Sequence, residues 1–371
     1  MRRVALVHDW LTGLRGGERV LQAICEMYPG ADIFTLVHVP GSCGPVIEAR
    51  RITTSFLQRL PAAQTRYRHY LPLFPLAVEA LDLRGYDLVI STSHAVAKGC
   101  RPAAGARHVA YVHTPMRYVW DQFEAYFGPG RAGPFTRAAA HLVAPWLRRW
   151  DVRSTARAHG LIANSCFISD RMRRVWGRAA DAVVYPPVET SRFRPASDLP
   201  AAARGPEGHA LIVSALVPYK RIELAVQAFT RLGRKLVVAG DGPELARLMA
   251  QAGPTVRFLG GIPHDELPRL YAGSSFFLLP GEEDFGIAPV ESQSAGRPVL
   301  ALGRGGALET VVPGRTGLFF EEPTLESLLA GIEAMDRFSP EADADLIHAH
   351  AERFAAPRFG QELREALRRL T

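Results

Sequence analysis

The 371-residue sequence predicts an α/β protein made of two doubly wound halves, each a parallel sheet covered by helices. Three observations predict it: the chain is long enough for two cores, short apolar strands alternate with helical stretches through both halves, and the rhythm restarts after a Pro-, Ala-, Arg- and Gly-rich break. Parallel strands need long crossover connections, and these place helices on the sheet faces and ligands at the C-terminal strand ends.

In the first half the strand-like segments are residues 4–9, 32–36, 87–92, 109–113, 161–163 and 182–185, with helical periodicity over 18–27 and 136–159. Residues 186–208 lack periodicity and mark the boundary. In the second half, strands are expected at 210–215, 236–239, 256–259, 276–279, 299–302 and 318–320, with helices beginning near Lys220, Pro243, His264, Phe285 and Ala307. Phe359, Leu363, Leu367 and Leu370 share one helical face, so a last helix is expected to pack across the junction between the halves. The expected domains are 1–189 and 190–355, with 356–371 as a terminal helix returning to the first domain.

Hydrophobic residues make up 47% and charged residues 22%, the balance of a globular enzyme rather than of a disordered chain. No apolar run reaches the eighteen residues of a membrane span, and the N-terminus enters a strand directly, so a cytoplasmic location is expected. The four cysteines (Cys25, Cys43, Cys100, Cys166) lack ligand spacing, which argues against a zinc site. The net charge of +7 is uneven: through Glu189 there are 24 Lys and Arg against 14 Asp and Glu, and beyond it 20 against 23. A basic first half fits an anionic membrane face, an acidic substrate or simply an Arg-rich surface. Residues 56–76 interleave Arg59, Arg66, Arg68 and His69 with Phe56, Leu57, Leu60, Tyr67, Tyr70, Leu71, Leu73 and Phe74, a mixture suited to a membrane interface or to packing on the sheet.

Four segments carry candidate chemistry. Gly16 and Gly17 follow the first strand and open a helix, where backbone amides and the helix dipole can meet a diphosphate; a tight turn has the same appearance. His113 ends a later strand of the same sheet, within reach of a sugar hydroxyl or as a buried structural histidine. Lys220 and Arg221 sit at a loop-to-helix junction, suited to the charge of a departing diphosphate or to solvent. The most specific segment runs from Glu283 to Glu291. A helix starting near Phe285 leaves Glu283 in the loop to reach a sugar, frees the amides of Phe285, Gly286 and Ile287, and puts Glu291 about 9 Å further along to reach a ribose.

At these residues the sequence resembles the family 4 retaining glycosyltransferases of the GT-B fold, in which two Rossmann-like domains face a central cleft. The segment Glu283 to Glu291 looks like that family's E-x7-E motif, followed by Gly305-Gly306-Ala307-Leu308-Glu309. The stretches His113-Thr114-Pro115-Met116-Arg117-Tyr118-Val119-Trp120-Asp121 and Val217-Pro218-Tyr219-Lys220-Arg221 look most like bacterial mannosyltransferases that build surface polysaccharides. The resemblance implies a GDP-mannose donor, with a UDP-sugar as the alternative, and a glycan or lipid-linked acceptor. It implies that Gly16 and Gly17 contact the donor diphosphate or sugar, His113 and Glu283 the sugar, Lys220 the diphosphate and Glu291 the ribose. His113, Lys220 and Glu283 are then the catalytic candidates, Arg221 joins the donor contacts, and Arg117 and Trp120 are acceptor candidates. Many relatives carry an Arg five residues before the Lys, where this chain has Ala215, so Arg221 or another Arg must supply the second cation.

Such enzymes are described as using front-face attack, which needs neither a carboxylate pair of glycosidase type nor a metal. No cofactor is expected. A nicotinamide enzyme should show GxGxxG after the first strand, which is absent, and no nucleic-acid-binding signature accompanies the basic half.

Overall fold

The computed structural model describes residues 2–128, 133–195, 208–338 and 342–371. The chain divides into two compact units, Met1–Pro187 with Phe359–Thr371, and Val188–Arg358.

The first unit holds a seven-stranded parallel sheet in the order β3-β2-β1-β4-β5-β6-β7. Its strands are β1 (Val4–His8), β2 (Asp32–Thr35), β3 (Ile52–Thr54), β4 (Leu88–Ser93), β5 (Arg107–Val112), β6 (Gly160–Ala163) and β7 (Ala182–Val183). β1 and β4 are buried along their whole length, as expected of central parallel strands covered on both faces. On one face Leu6, Ile33, Ile90 and Val109 pack against Val20, Leu21 and Ile24 of the helix Gly16–Met27 and against Phe359, Leu363 and Leu367 of the helix Ala356–Leu370. On the other, Ala5, Val7 and Val89 pack against Leu57, Tyr67, Phe74 and, from the helix Pro134–Ser154, Ala144 and Leu147.

The second unit is a six-stranded parallel sheet ordered β10-β9-β8-β11-β12-β13. Its strands are β8 (His209–Val213), β9 (Leu236–Ala239), β10 (Val256–Gly260), β11 (Ser274–Leu279), β12 (Val299–Leu302) and β13 (Gly317–Phe320). Ile212, Val238 and Leu278 face Leu224, Ala225 and Phe229 of the helix Ile222–Leu232, while Leu211, Phe277 and Val299 face Tyr271 and Ala307. In both units the strand order reverses beside the first strand, between β1 and β4 and between β8 and β11, and such a reversal opens a crevice at the strand ends.

Several details depart from the sequence reading. β3 was not anticipated, because at the sheet edge Thr53 is exposed, Ile52 and Thr54 are only half-buried, and the three carry little apolar pattern. The helix expected over 136–159 ends at Ser154, followed by a 3-10 turn over Thr155–Arg157. Residues 196–207 of the expected boundary segment lie outside the described residues. Residues 56–76 turn most of their apolar side chains inward: Leu57, Tyr67 and Phe74 are buried, and Leu60, Tyr70, Leu71 and Leu73 pack on the same core. Arg59, Arg66, Arg68 and His69 face solvent, with Phe56 and Leu76 as the outward apolar residues.

Candidate active site

In the first unit the candidate residues gather at the C-terminal ends of β1, β4 and β5. Asp9, the residue after β1, is fully buried, and its carboxylate accepts four backbone amides from the turn after β4: His94 at 2.7 Å, Ala95 at 2.9 Å, Val96 at 2.7 Å and Ala97 at 2.8 Å. Four charge-assisted bonds fix that turn and hold the His94 ring, whose Nδ1 lies 3.2 Å from Asp9 Oδ2. His8, the last residue of β1, shares a 2.7 Å hydrogen bond with Thr92 through Nδ1, and its Nε2 lies 3.6 Å from the Glu18 carboxylate.

Glu18 also accepts the Arg15 amide at 3.0 Å, so the third residue of the helix Gly16–Met27 reaches back to satisfy the amide that precedes it. Burial pushes its carboxyl pKa up, but the hydrogen bond and charge of His8 and the charge of His94 outweigh that and hold it below the ordinary value.

His113 follows β5 directly. Burial, then the charges of His94, His8 and Arg117, push its pKa well below that of a free imidazole, so it is neutral near pH 7. Its buried Nε2 has no partner. A Cβ built on Gly17 would stand 3.6 Å from that Nε2 and 3.7 Å from His8 Cε1, so the absence of a side chain at Gly17 leaves room over both rings. The structure thus brings Gly17 and His113 together, with Gly16 opening the helix beside them.

The segment after His113 is braced from below. Thr114 Oγ1 accepts from Arg171 at 3.1 Å, and Arg171 pairs with Asp121 at 2.7 Å. The Trp120 indole N–H donates to Asp151 at 2.8 Å, so as an acceptor candidate Trp120 offers its ring rather than its N–H. Asp151 also accepts from the Trp176 indole at 2.7 Å and pairs at 2.8 Å with Lys98, which is buried and donates to Ser154 at 2.6 Å. Burial pushes the Lys98 pKa down against the pull of Asp151. Arg117 is half-buried, and its charge acts on His94 and His113. Sequence reasoning missed Asp9, His94, Lys98 and Asp151. The signal available for Asp9 was its place directly after the first strand; the others become neighbours only through the fold.

The second unit builds its surface differently. Lys220 ends the 3-10 turn Pro218–Lys220 after β8, and Arg221, exposed and at φ +52°, leads into the helix Ile222–Leu232. A left-handed backbone at a non-glycine residue is uncommon and fixes the direction in which this turn leaves the sheet. Glycines bring three backbones together here. A Cβ on Gly281 would meet the Lys220 and Tyr219 main chain at 2.8 Å, one on Gly305 the Glu283 oxygen at 2.5 Å, and one on Gly306 the Phe285 Cα at 2.5 Å. The Gly306 amide donates to the Glu283 carbonyl at 2.8 Å.

Glu283 and Lys220 form an ion pair with one another, which the sequence reading, with its separate roles for the two, did not foresee. The helix runs Ile287–Ser294, starting two residues later than expected because Gly286, at φ +91°, serves as its N-cap. Phe285 turns its ring inward, edge-on to Phe354 with ring centroids 5.5 Å apart, so only its backbone can serve a ligand. Glu291 is buried in the second turn and accepts from the Tyr271 hydroxyl at 2.8 Å. Among the described residues, no three His, Cys, Asp or Glu side chains are grouped to hold a metal ion.

Comparison with known proteins identifies the family. The family described as Glycosyltransferase Family 4 matches residues 14–192, and Glycosyl transferases group 1 matches residues 200–347. The chain belongs to the family 4 glycosyltransferases. A GDP-mannose-dependent alpha-(1-6)-phosphatidylinositol monomannoside mannosyltransferase of Mycobacterium tuberculosis is 34% identical over 178 residues, 42% of this chain and 46% of that protein. A GDP-mannose-dependent alpha-mannosyltransferase of the same species is 31% identical over 275 residues, 72% of this chain and 66% of that protein. The chain thus spans about half the length of the first of these relatives and somewhat more of the second. Among solved structures, Anabaena Alr3699/HepE in complex with UDP superposes with a TM-score of 0.70 at 18% identity, covering 98% of this chain and 99% of that one, and shares the fold. This family 4 member therefore has the GT-B class of architecture, with the Gly16-Gly17 turn in the first unit and the segment from Glu283 to Glu291 in the second.

Proposed function

We propose that this protein transfers mannose from GDP-mannose, with retention of configuration and without a metal ion, onto a glycan or lipid-linked oligosaccharide in surface-polysaccharide synthesis. The observation that carries the reading is the glycine-packed junction of Lys220, Glu283 and the start of the helix Ile287–Ser294, a cation, a carboxylate and a helix N-terminus set side by side. The mannose donor rests on the names of the relatives. Val188–Arg358 takes the donor nucleotide and Met1–Pro187 the acceptor.

On donor binding, Lys220 exchanges Glu283 for the diphosphate, which frees the Glu283 carboxylate to accept hydrogen bonds from sugar hydroxyls. The amides of Phe285, Gly286 and Ile287 add donors. Glu291, oriented by Tyr271, accepts from the ribose hydroxyls. Arg221 supplies the second cation in place of Ala215. The neutral imidazole of His113 bonds a sugar hydroxyl, in the space that Gly17 leaves and beside the diphosphate-facing turn at Gly16.

In the transfer step the bond from the anomeric carbon to the phosphate oxygen breaks, and the acceptor hydroxyl bonds the same carbon from the same face. Its proton passes to the departing phosphate oxygen. The protein supplies position and charge. Arg117 and the Trp120 ring bind the acceptor.

No helix among the described residues is long and apolar enough to cross a membrane. We read the protein as a cytoplasmic enzyme that works peripherally at an anionic membrane face, where a lipid-linked acceptor is presented.

A donor-hydrolysis screen over GDP-mannose, UDP-glucose, UDP-N-acetylglucosamine and UDP-galactose tests the donor. GDP-mannose turnover that survives EDTA is expected; turnover of a UDP-sugar alone, or loss on chelation with rescue by magnesium or manganese, overturns the respective part. An α-anomeric product by NMR checks retention.

A further inference from the structure

The helix Pro134–Ser154 presents an outward stripe that no part of the sugar-transfer chemistry uses. Phe135 is 91% exposed, Leu142 82% and Trp146 43%. At 100° per residue, Phe135, Leu142, Trp146, Arg149 and Arg153 fall at steps of 7, 4, 3 and 4 and so lie along one face, about 27 Å from end to end. The opposite face carries the buried Ala144, Leu147, Asp151 and Ser154, which fasten the helix to its unit. Large apolar side chains left in water in a row mark an interaction surface rather than ordinary scatter.

The charge on this helix has one sign toward solvent. Arg137, Arg149 and Arg153 are exposed, while its one carboxylate, Asp151, is buried and taken up by Lys98, Trp120 and Trp176. Arg59, Arg66, Arg68, Phe56 and Leu76 stand exposed on the neighbouring segment, which packs on the same core and so covers the same sheet face. The unit as a whole carries the positive excess of the chain. An apolar row flanked by arginines, with no outward acid, complements an anionic lipid surface, where aromatic and aliphatic side chains enter the headgroup boundary and guanidinium groups meet lipid phosphates.

We propose that the outer face of the helix Pro134–Ser154 is the membrane-docking surface of this protein, with Phe135, Leu142 and Trp146 inserting into an anionic leaflet and Arg149 and Arg153 held at its headgroups. The proposal rests on the peripheral-membrane reading above and assigns it to a particular element.

The test uses the full chain with vesicles of phosphatidylcholine alone or with phosphatidylglycerol, in co-sedimentation at low and high salt. Binding to the anionic vesicles that weakens as salt rises is expected. The triple variant Phe135→Ser, Leu142→Ser, Trp146→Ser should bind at least tenfold more weakly while keeping donor hydrolysis in lipid-free solution, which also shows that it folds. Vesicles with brominated acyl chains should quench the fluorescence of the unmodified protein and much less that of Trp146→Phe. No binding of the unmodified protein at low salt overturns the peripheral reading and the surface with it. Binding that the triple variant retains, or that only Arg59→Ser, Arg66→Ser and Arg68→Ser abolish, overturns the assignment to this helix alone. So does burial of Trp146 by self-association in lipid-free buffer, seen as a dimer by sedimentation velocity that the triple variant loses.

Discussion

The two units present their candidate surfaces at the same place in the same kind of sheet, yet hold them by opposite means. In the first unit, side chains are locked by buried charge: Asp9 gathers four amides, Glu18 holds His8, and Asp151 ties Lys98 to two indoles. In the second, backbones are brought together by glycines, and the ion pair of Lys220 and Glu283 keeps a partly open edge, the side chains 11% and 19% exposed. Buried charges held by several partners at once are costly to disturb and fix one arrangement, whereas a pair that reaches the surface can trade one charged partner for another. The first unit is therefore built to keep its surface fixed, and the second leaves one contact open to exchange, as the proposed donor binding requires.

The sharpest way to break this contrast is Lys98→Met, which leaves the Asp151 carboxylate buried without its cation. A loss of about 3–5 kcal/mol in unfolding free energy is expected, and denaturant titration checks it; a loss near zero would mean the network is not what holds the first unit. Next comes Glu283→Ala, with a fall in kcat of about 100- to 1000-fold and an unchanged melting temperature, measured by steady-state kinetics and thermal shift. A normal kcat would show that the carboxylate does not meet the reacting sugar.

A pair of glycine substitutions compares the two modes directly. Gly306→Ala pushes a Cβ to within 2.5 Å of the Phe285 Cα and should cost about 1–3 kcal/mol of stability. Gly17→Ala places its Cβ at 3.6 Å, an ordinary contact, and should leave stability nearly intact while lowering turnover by filling the room over His113. Equal melting temperatures with equal activities would remove the distinction.

Acid should act on the first unit through its buried histidines. His108 is bonded to Ser91, and its burial pushes its pKa down to about 4, below the ordinary 6.5. The unfolded chain binds the proton first, so stability falls as pH drops from about 6.5 toward 4, by about 2 kcal/mol at pH 5 for this group. Denaturation at pH 7 and pH 5 measures it, and the dependence should shrink in His108→Gln. The smallest effect is expected at Glu291→Ala, a rise of about tenfold in donor KM, or ~1.4 kcal/mol, with kcat little changed. A large kcat loss there would merge the roles given to Glu283 and Glu291.

The sequence by itself determined the parallel-sheet architecture, because central strands and crossover helices declare themselves locally, by the continuous apolar run of Val4–His8 and the helical periodicity of Ile222–Leu232. It also singled out Gly17, His113, Lys220 and Glu283, since each stands at or beside a strand end or loop-to-helix junction that local pattern can locate, and Glu291 through its fixed spacing from Glu283. Tertiary structure alone decided which of these touch. The pairing of Lys220 with Glu283 spans 63 positions and depends on Gly281 and Gly305 letting loops from three strands close on each other. The Lys98–Asp151 pair and the amide cradle of Asp9 likewise join residues more than 50 positions apart, and periodicity carries no information at that range. Residues 56–76 and 134–154 show the same limit from the other side. Both mix arginines with large apolar residues, and only packing against the sheet decides that Tyr67 and Phe74 turn inward while Phe135, Leu142 and Trp146 stay in water. An apolar residue is buried by what lies opposite it, and that is a property of the folded chain.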